Sequence, residues 1–288
     1  MKMTKALYPL FLILLAFTVH LSANQNSHHP IFTKFPEVQI PEFSEEYFEW
    51  IDLLEAIDEA DSSFTMVEVG AGYGRWSANG ALAARSINMP FYLALIEAEP
   101  YRTHVAIPEY MQKYSIPNSQ YKIFDTSVGP DTNYTFFYLS KGEWTLETWY
   151  GQCIILPYDH VTKWTNEKYY GHPIVNTDLG YTAVAVNQRL FSDILNEIEA
   201  PIIDLCDFDI QGTEFEVIKE AINVLNSRVK RLHIGTHSHT ISKKLRLLLE
   251  TNGWEIIRDY LCLQVNKTEY GSLKFVDGVQ SWRNKRFK

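Results

Sequence analysis

The stretch Val-Glu-Val-Gly-Ala-Gly-Tyr-Gly, residues 67–74, decides the fold that the sequence predicts. An apolar run ends in three glycines spaced two apart, and a helix-forming segment starts at Trp76. A strand, a glycine turn and a helix in succession are typical of a doubly wound α/β sheet, in which the backbone approaches a nucleotide closely. Each glycine removes a Cβ that would collide with the ligand, and permits a positive φ. The sequence therefore predicts a nucleotide-type site at this turn.

The spacing of Gly70, Gly72 and Gly74 distinguishes between cofactors. A dinucleotide fingerprint reads G-x-G-x-x-G and holds a pyrophosphate at the helix N-terminus. Here the third glycine comes one residue early, and Glu68 lies two residues before the first. A carboxylate there would repel a phosphate and attract a cation. The pattern disfavours a nicotinamide-dependent oxidoreductase and favours a cationic ligand such as S-adenosylmethionine, whose ammonium Glu68 would bind.

A second acid closes the next apolar run, residues 91–96. Glu97 ends that run near the spacing at which an acidic residue meets a ribose diol. Glu99 is an alternative for the same role. A glycine turn that binds no ligand is the competing interpretation, and the two acids argue against it.

Strands and helices alternate from residue 64, which predicts an α/β fold with a doubly wound, mostly parallel sheet. Strands are predicted at 65–69, 92–97, 121–125, 182–186, 202–208, 231–235, 255–261 and 273–279, and helices at 76–86, 101–114, 188–197, 214–225 and 239–252. The last two strands have no room for a helix between them, so an antiparallel C-terminal hairpin is expected. That ending is typical of the methyltransferase variant of the Rossmann-like fold. Residues 126–180 are rich in Tyr, Trp and Gly and are predicted to form an insertion that selects the substrate.

The second dense constellation covers residues 205–214, Leu-Cys-Asp-Phe-Asp-Ile-Gln-Gly-Thr-Glu. Asp209 would lie at the carboxyl edge of the sheet, where ligands bind in open α/β sheets. Its carboxylate could take a proton from a hydroxyl, or hold a divalent cation that acidifies the hydroxyl. The competing interpretation is that Asp209 caps the following helix.

Histidines and cysteines bear on the possibility of a metal site. His233, His237 and His239 are two or four residues apart and would share one face of a continuous strand. The strand and the following helix separate them, so we predict that His237 alone reaches the cleft as a polar or basic group. The three cysteines form no C-x-x-C pair. The prediction is no metal; a divalent cation is possible but has no further support.

The N-terminus predicts a targeting segment. Residues 1–23 combine two lysines with an apolar run, and we expect a signal peptide or signal anchor, with a possible membrane tether through 6–23. Residues 24–45 are polar and rich in proline and are predicted to be a linker before a domain over 46–288. The domain is expected to be membrane-anchored or in the secretory pathway, or to face the cytosol if the segment is not a signal.

Charge bears on possible partners. The net charge of -9 would repel a polyanion, so we predict no nucleic-acid partner. Hydrophobic residues make up 46% and charged residues 21%, which predicts a folded core rather than disorder.

Together these motifs resemble the FkbM-type family of S-adenosylmethionine-dependent methyltransferases. The resemblance rests on the glycine turn, on Glu97-Ala98-Glu99-Pro100 and on residues 209–214, Asp-Ile-Gln-Gly-Thr-Glu. It extends more weakly to 149–152, 233–238 and 275–280, and covers roughly residues 64–282.

The resemblance implies a class I methyltransferase fold and O-methylation of a hydroxyl on a sugar or small-molecule acceptor. It assigns Glu68 and the three glycines to the methionine part of S-adenosylmethionine, with Tyr73 in the same turn, Glu97 to the ribose and Asp125 to the adenine amine. Asp209 would be nearest the reacting hydroxyl, with His237 as the other candidate to take its proton. The alternative function is a membrane-tethered interaction protein that retains a non-catalytic methyltransferase fold.

Overall fold

A computed structural model of the protein describes residues 28–139, 155–156, 158–180 and 182–287. The strands of this part are β1 (Phe64–Val69), β2 (Phe91–Glu97), β3 (Tyr121–Asp125), β4 (Ser127–Gly129), β5 (Tyr134–Tyr138), β6 (Ile155–Leu156), β7 (Val161–Tyr169), β8 (His172–Thr177), β9 (Thr182–Leu190), β10 (Ile203–Phe208), β11 (Val229–Thr236), β12 (Trp254–Tyr260), β13 (Gln264–Thr268), β14 (Gly271–Phe275) and β15 (Gly278–Asn284). The α-helices are α1 (Glu46–Asp58), α2 (Arg75–Ser86), α3 (Ile107–Lys113), α4 (Phe191–Glu197), α5 (Glu214–Arg228) and α6 (His239–Thr251). A π-helical turn at Arg102–Ala106 precedes α3.

The central sheet has seven strands in the order β12-β15-β11-β10-β1-β2-β3. β1 lies between β10 and β2 and runs parallel to both. β15 is antiparallel to its neighbours β11 and β12. A parallel sheet closed by one antiparallel strand inserted next to the edge is the class I methyltransferase arrangement, so the predicted fold class is confirmed.

The C-terminal antiparallel strands are present, with bounds that differ from the prediction. The predicted strand at 273–279 is divided between β14 and β15, and β15 pairs with β12. β13 and β14, which lie between β12 and β15 in the chain, form a separate two-stranded hairpin. The break falls at Val276 and Asp277, where the two backbone N–H groups donate to the Glu45 carboxylate instead of a strand partner.

The strand predicted at 182–186 belongs to a second sheet, so its assignment to the parallel sheet is wrong. This sheet has six strands, in the order β6-β5-β9-β8-β7 with β4 also paired to β9. β9 continues to Leu190, so the helix predicted at 188–197 begins only at Phe191. Residues 183–186 are buried as a central parallel strand would be, and the sequence pattern alone cannot distinguish the two sheets.

Residues 28–45, the described part of the predicted linker, fold onto the domain. A 3-10 helix at Pro30–Lys34 places Ile31, Phe32 and Phe35 in the core. The linker prediction is therefore wrong for this part, because these apolar side chains gain burial against α1. The predicted targeting segment, residues 1–23, lies outside the described residues. Among the described residues, no helix is both long enough and apolar enough to cross a membrane.

Two apolar layers cover the faces of the central sheet. In β1, Phe64 and Met66 belong to one layer, and Val67 and Val69 belong to the other. All residues of β1 are buried, as expected for a parallel strand with helices on both faces. Each buried side chain of this size contributes about 1.5–3 kcal/mol. This core fixes the carboxyl ends of β1, β2 and β10, where the candidate site lies.

Candidate cofactor and active site

The glycine turn joins β1 to α2 and binds the end of β2. The backbone N–H groups of Gly70 and Ala71 donate to the carbonyl oxygen of Ile96 at 2.9 and 3.0 Å. Gly70 has a φ of +85°, and a Cβ there would lie 2.0 Å from the carbonyl oxygen of Asp209. Only glycine allows the ends of β1 and β10 to approach this closely.

The other two glycines have different roles. A Cβ on Gly74 would lie 2.7 Å from the Met111 side chain, so this glycine permits α2 and α3 to pack. A Cβ on Gly72 would meet no atom closer than Arg102 Nη1 at 3.9 Å. Gly72 therefore faces open space, as a position of close ligand approach would. Tyr73, also predicted to bind the cofactor, lines the same space, and its ring contacts Tyr110 edge-on.

Glu68 is buried in β1 directly below the start of α2. Its carboxylate accepts hydrogen bonds from the backbone N–H groups of Trp76 and Ser77, at 3.3 and 2.9 Å. Burial raises the pKa of Glu68 to about 8, although these two donors favour the charged form. The side chain thus stabilises the helix N-terminus and lines the cleft.

Glu97 holds the glycine turn in place. Its Oε2 accepts from the backbone N–H of Gly72 at 2.6 Å, and its Oε1 accepts from Ala98 and Glu99. Glu99 lies alongside, and burial raises its pKa to about 6. Both acids line the same cavity. The structure therefore places Glu97, the predicted ribose-binding residue, beside its alternative Glu99.

Asp125 has partners that the sequence did not suggest. Its Oδ1 accepts from the Thr103 hydroxyl at 3.0 Å, and its Oδ2 lies 2.9 Å from His104 Nε2 and 2.8 Å from His172 Nε2. The side chain does not line the cavity beside Glu97, although the following residue, Thr126, does. The adenine role stays a prediction, and the described contacts direct this carboxylate elsewhere.

Asp209 and His237 lie together at the carboxyl edge of the sheet. His237 Nε2 is 3.3 Å from Asp209 Oδ1, and His237 Nδ1 is 2.7 Å from Glu214 Oε1. Burial opposes protonation of His237, but the carboxylates of Asp209 and Glu214 outweigh it and raise the pKa of the imidazole to about 10. At neutral pH His237 is therefore a cation beside the half-exposed Asp209.

Sequence reasoning missed several acids that line the cleft, among them Glu49 and Asp277. Glu49 on α1 reaches Asp207 on β10, and Asp277 lies 3.7 Å from His237 Nε2. Burial and then the Asp207 charge raise the pKa of Glu49 well above its ordinary value. The available signal was the spacing of Glu45, Glu49 and Asp52, which places them on one face of α1.

Two cavities of opposite chemistry meet at this edge. The first, which we call the apolar cavity, has a volume of about 310 Å³. Its apolar lining residues are Ile96, Ala98, Val128, Pro130, Phe137 and Ile210. The second, which we call the acidic cavity, has a volume of about 180 Å³. The acids that line it and not the first cavity are Glu45, Glu46, Glu49, Glu68, Asp207 and Asp277. Gly70, Asp209 and Gln211 line both. One elongated ligand with an apolar end and a cationic end would fit across them.

The described residues also contain two groups of potential metal ligands. His104, Asp125 and His172 form one group, and Glu49, Asp207 and His233 form the other, each with ligand atoms within 4.8 Å of one another. In the second group, His233 Nδ1 already lies 2.6 Å from the buried Asp52 carboxylate. The prediction of no metal stays a prediction.

Comparison with known proteins supports the class defined by the strand order. The chain is similar to a protein of Jannaschia sp. (strain CCS1) described as "Putative methyltransferase", with 24% identity over 237 residues, covering 82% of this chain and 78% of the relative. No family model matches the sequence. The resemblance to methyltransferases that the motifs predict is confirmed by this relative.

Solved structures with similar folds include the methyltransferase FkbM from Methylobacillus flagellatus KT, at 13% identity and a TM-score of 0.46. That match covers 88% of this chain, which spans 58% of the length of the FkbM chain. Another is an rRNA methylase from Streptococcus thermophilus, at 9% identity and a TM-score of 0.44, with 86% of this chain and 99% of that chain covered. The similarity of these two structures concerns the fold alone. The comparisons give no support for excluding nucleic acid, which stays a prediction from charge.

Proposed function

We propose that the protein is an S-adenosylmethionine-dependent methyltransferase that methylates a hydroxyl of a small-molecule or glycan acceptor. The observation that carries the proposal is the junction of the apolar and acidic cavities at Gly70 and Asp209. The sequence relative supports the broad function, and the acceptor is our inference from the site.

The cavities match the two ends of the cofactor. The apolar cavity, with hydroxyls from Thr126 and Ser127 and carboxylates from Glu97 and Glu99, suits a nucleoside. The acidic cavity suits an ammonium group, and Gly72 leaves room for the connecting chain. A phosphate-bearing ligand would meet repulsion in the acidic cavity from Asp207, whose pKa of about 6 leaves its carboxylate mostly charged at neutral pH.

The chemistry that the cofactor supplies when bound is an electrophilic methyl group on a sulfonium sulfur. The protein must then align an acceptor oxygen and remove its proton. In this proposal Asp209 takes the proton, because its half-exposed carboxylate lies at the junction of the cavities. His237 cannot take it at neutral pH, since its raised pKa keeps the imidazole charged. We assign His237 the role of orienting Asp209.

The acceptor is proposed to be small and without strong negative charge. The net charge of -9 and the carboxylates of the acidic cavity would repel a polyanion such as RNA. Residues 1–23 are proposed to target or tether the domain in the secretory pathway or at a membrane. Residues 126–180, an insertion rich in Tyr, Trp and Gly, are proposed to select the acceptor.

Calorimetry with S-adenosylhomocysteine on the full chain tests the proposal. We expect one molecule bound per chain, and methyl transfer from labelled S-adenosylmethionine to at least one hydroxyl compound in an acceptor screen. A non-catalytic scaffold would give no heat and no transfer, and that result would reject the proposal. Transfer to RNA and to no hydroxyl-bearing small molecule or glycan would reject the acceptor class alone.

A further inference from the structure

A cluster outside the two cavities joins the central sheet to the second sheet. Asp125 ends β3, His104 lies in the π-helical turn after β2, and His172 begins β8. Both imidazole Nε2 atoms contact the same oxygen, Asp125 Oδ2, at 2.9 and 2.8 Å. The three side chains thus come from three separate elements and converge on one point.

The donor set is that of a transition-metal site. Two imidazoles and one carboxylate are common ligands of Zn²⁺ and of other first-row divalent ions. Two ligand atoms on a tetrahedral Zn²⁺ lie about 3.3 Å apart, given Zn–N lengths of about 2.0–2.1 Å. The observed separations therefore need to open by about 0.5 Å to admit an ion. His104, whose side chain is 44% exposed, can make that movement toward solvent.

The surrounding structure already orients two of the ligands. The Thr103 hydroxyl donates to Asp125 Oδ1 at 3.0 Å, which fixes the carboxylate and leaves Oδ2 directed at the imidazoles. Tyr170 stacks on the His104 ring, with centroids 5.4 Å apart and planes 16° apart. Support of metal ligands by hydrogen bonds and packing of this kind is usual in protein metal sites.

The turn before His172 aims it at the cluster. β7 and β8 are joined by Tyr170 and Gly171, with φ values of +48° and +90°. Positive φ at both central residues is the two-residue hairpin turn that matches strand twist. The turn places His172 directly after the bend, and its side chain is only 11% exposed.

We propose that His104, Asp125 and His172 bind a divalent transition-metal ion such as Zn²⁺, with water completing the coordination. The ion links the β7–β8 hairpin to the carboxyl end of β3. Asp125 is followed by Thr126, which lines the apolar cavity. The ion therefore stabilises the position of the second sheet beside that cavity, and takes no part in methyl transfer.

The test is titration of the metal-free full chain with ZnCl₂ by calorimetry, and with CoCl₂ by visible absorption. We expect one ion per chain, and a rise in the unfolding temperature with Zn²⁺, because an ion that binds only the folded state stabilises it. His104→Ala and His172→Ala should each weaken Zn²⁺ binding by at least the roughly 10- to 100-fold that supporting residues alone contribute. Circular dichroism and S-adenosylhomocysteine binding report whether each variant is folded.

The chain offers a matched control in His160, which lies 3.0 Å from the Asp178 carboxylate and has a side chain 37% exposed. His160→Ala should bind Zn²⁺ as the wild type does. The proposal is overturned if the wild type binds no better than the His104→Ala/His172→Ala double variant. It is also overturned if Asp207→Asn, in the other ligand group, abolishes binding while His104→Ala does not. The titration needs no cofactor or acceptor, so its failure leaves the proposed methyltransferase function untouched.

Discussion

The apolar cavity and the acidic cavity share Gly70 and Asp209 and differ in almost every other lining group. The first is built by the ends of β2 and β3 and by the second sheet, and its wall is mostly apolar, with a few charged groups such as Glu97 and Glu99. The second is built by α1, β10 and the start of α2, and its wall offers carboxylates. The difference shows how one sheet edge can select a ligand that is apolar at one end and cationic at the other.

The largest effect should come from closing the junction between the cavities. Gly70→Ala places a Cβ 2.0 Å from the Asp209 carbonyl oxygen at a φ of +85°. We expect S-adenosylhomocysteine binding to be lost in calorimetry and the free energy of unfolding to fall by more than the roughly 1–3 kcal/mol that backbone strain costs.

Gly180→Ala is the control for that change. Gly180 has a similar φ of +83°, but no atom lies within 4 Å of its added Cβ. It should show the strain alone, about 1–3 kcal/mol in urea unfolding, with ligand affinity unchanged. Equal S-adenosylhomocysteine affinity in Gly70→Ala and the wild type would contradict a ligand that crosses the junction of the two cavities.

Removal of the shared carboxylate should affect the reaction and spare the cofactor. Asp209→Asn keeps the shape of both cavities and removes the proposed proton acceptor. We expect kcat to fall by roughly 10²–10⁴-fold, while S-adenosylhomocysteine affinity changes little. Asp159→Asn, at an exposed position in the second sheet's connection, is the control and should keep full activity. A kcat near that of the wild type would remove Asp209 from the mechanism.

The pH dependence of the free energy of unfolding should show that His237 is a cation between Asp209 and Glu214 in the folded protein. The pKa of His237 is about 10 in the folded protein, against 6.5 as its ordinary value. Its stabilisation is fully present below pH 6.5 and is lost as the pH rises through 10. Between about pH 7 and pH 9 the free energy of unfolding should fall by on the order of 2 kcal/mol more in the wild type than in His237→Gln. Equal slopes in urea unfolding would contradict this ion pair.

The smallest effect is expected from a substitution in the acidic cavity, and it should distinguish the roles of the two cavities. The pKa of Glu68 is about 8, and a bound ammonium group would favour its charged form. Glu68→Gln removes this carboxyl group and should weaken S-adenosylhomocysteine binding by about tenfold, as loss of one charged hydrogen bond would. Methylthioadenosine, which lacks the amino-acid part, should bind with unchanged affinity. Phe137→Ala, on the apolar side, should weaken both ligands alike. Parallel losses for both ligands in Glu68→Gln would contradict separate sites.

The parts of this site that the sequence predicts are those set by local pattern. The glycine turn, the acid that ends β2 and Asp209 after β10 each follow an apolar run, and parallel strands bring their carboxyl ends to one edge. Gly70 and Asp209 are therefore predictable as neighbours, although they are far apart in the chain.

The parts that could not be predicted depend on long-range pairing. Asp125 meets His172, 47 residues away, only because the β7–β8 hairpin folds back onto β3. Glu49 lines the cleft because α1 packs against β10 and β11. β9 has the composition of a central parallel strand, and only its pairing with β5, β8 and β4 assigns it to the second sheet. No local period encodes these partners.

If one ligand spans both cavities, a crystal structure with S-adenosylhomocysteine will show it. We expect the adenine ring against Val128 and Phe137, the ribose beside Glu97 or Glu99, and the amino group among the carboxyl groups near Glu68. A ligand bound in the reverse orientation, or at another face of the sheet, would contradict it.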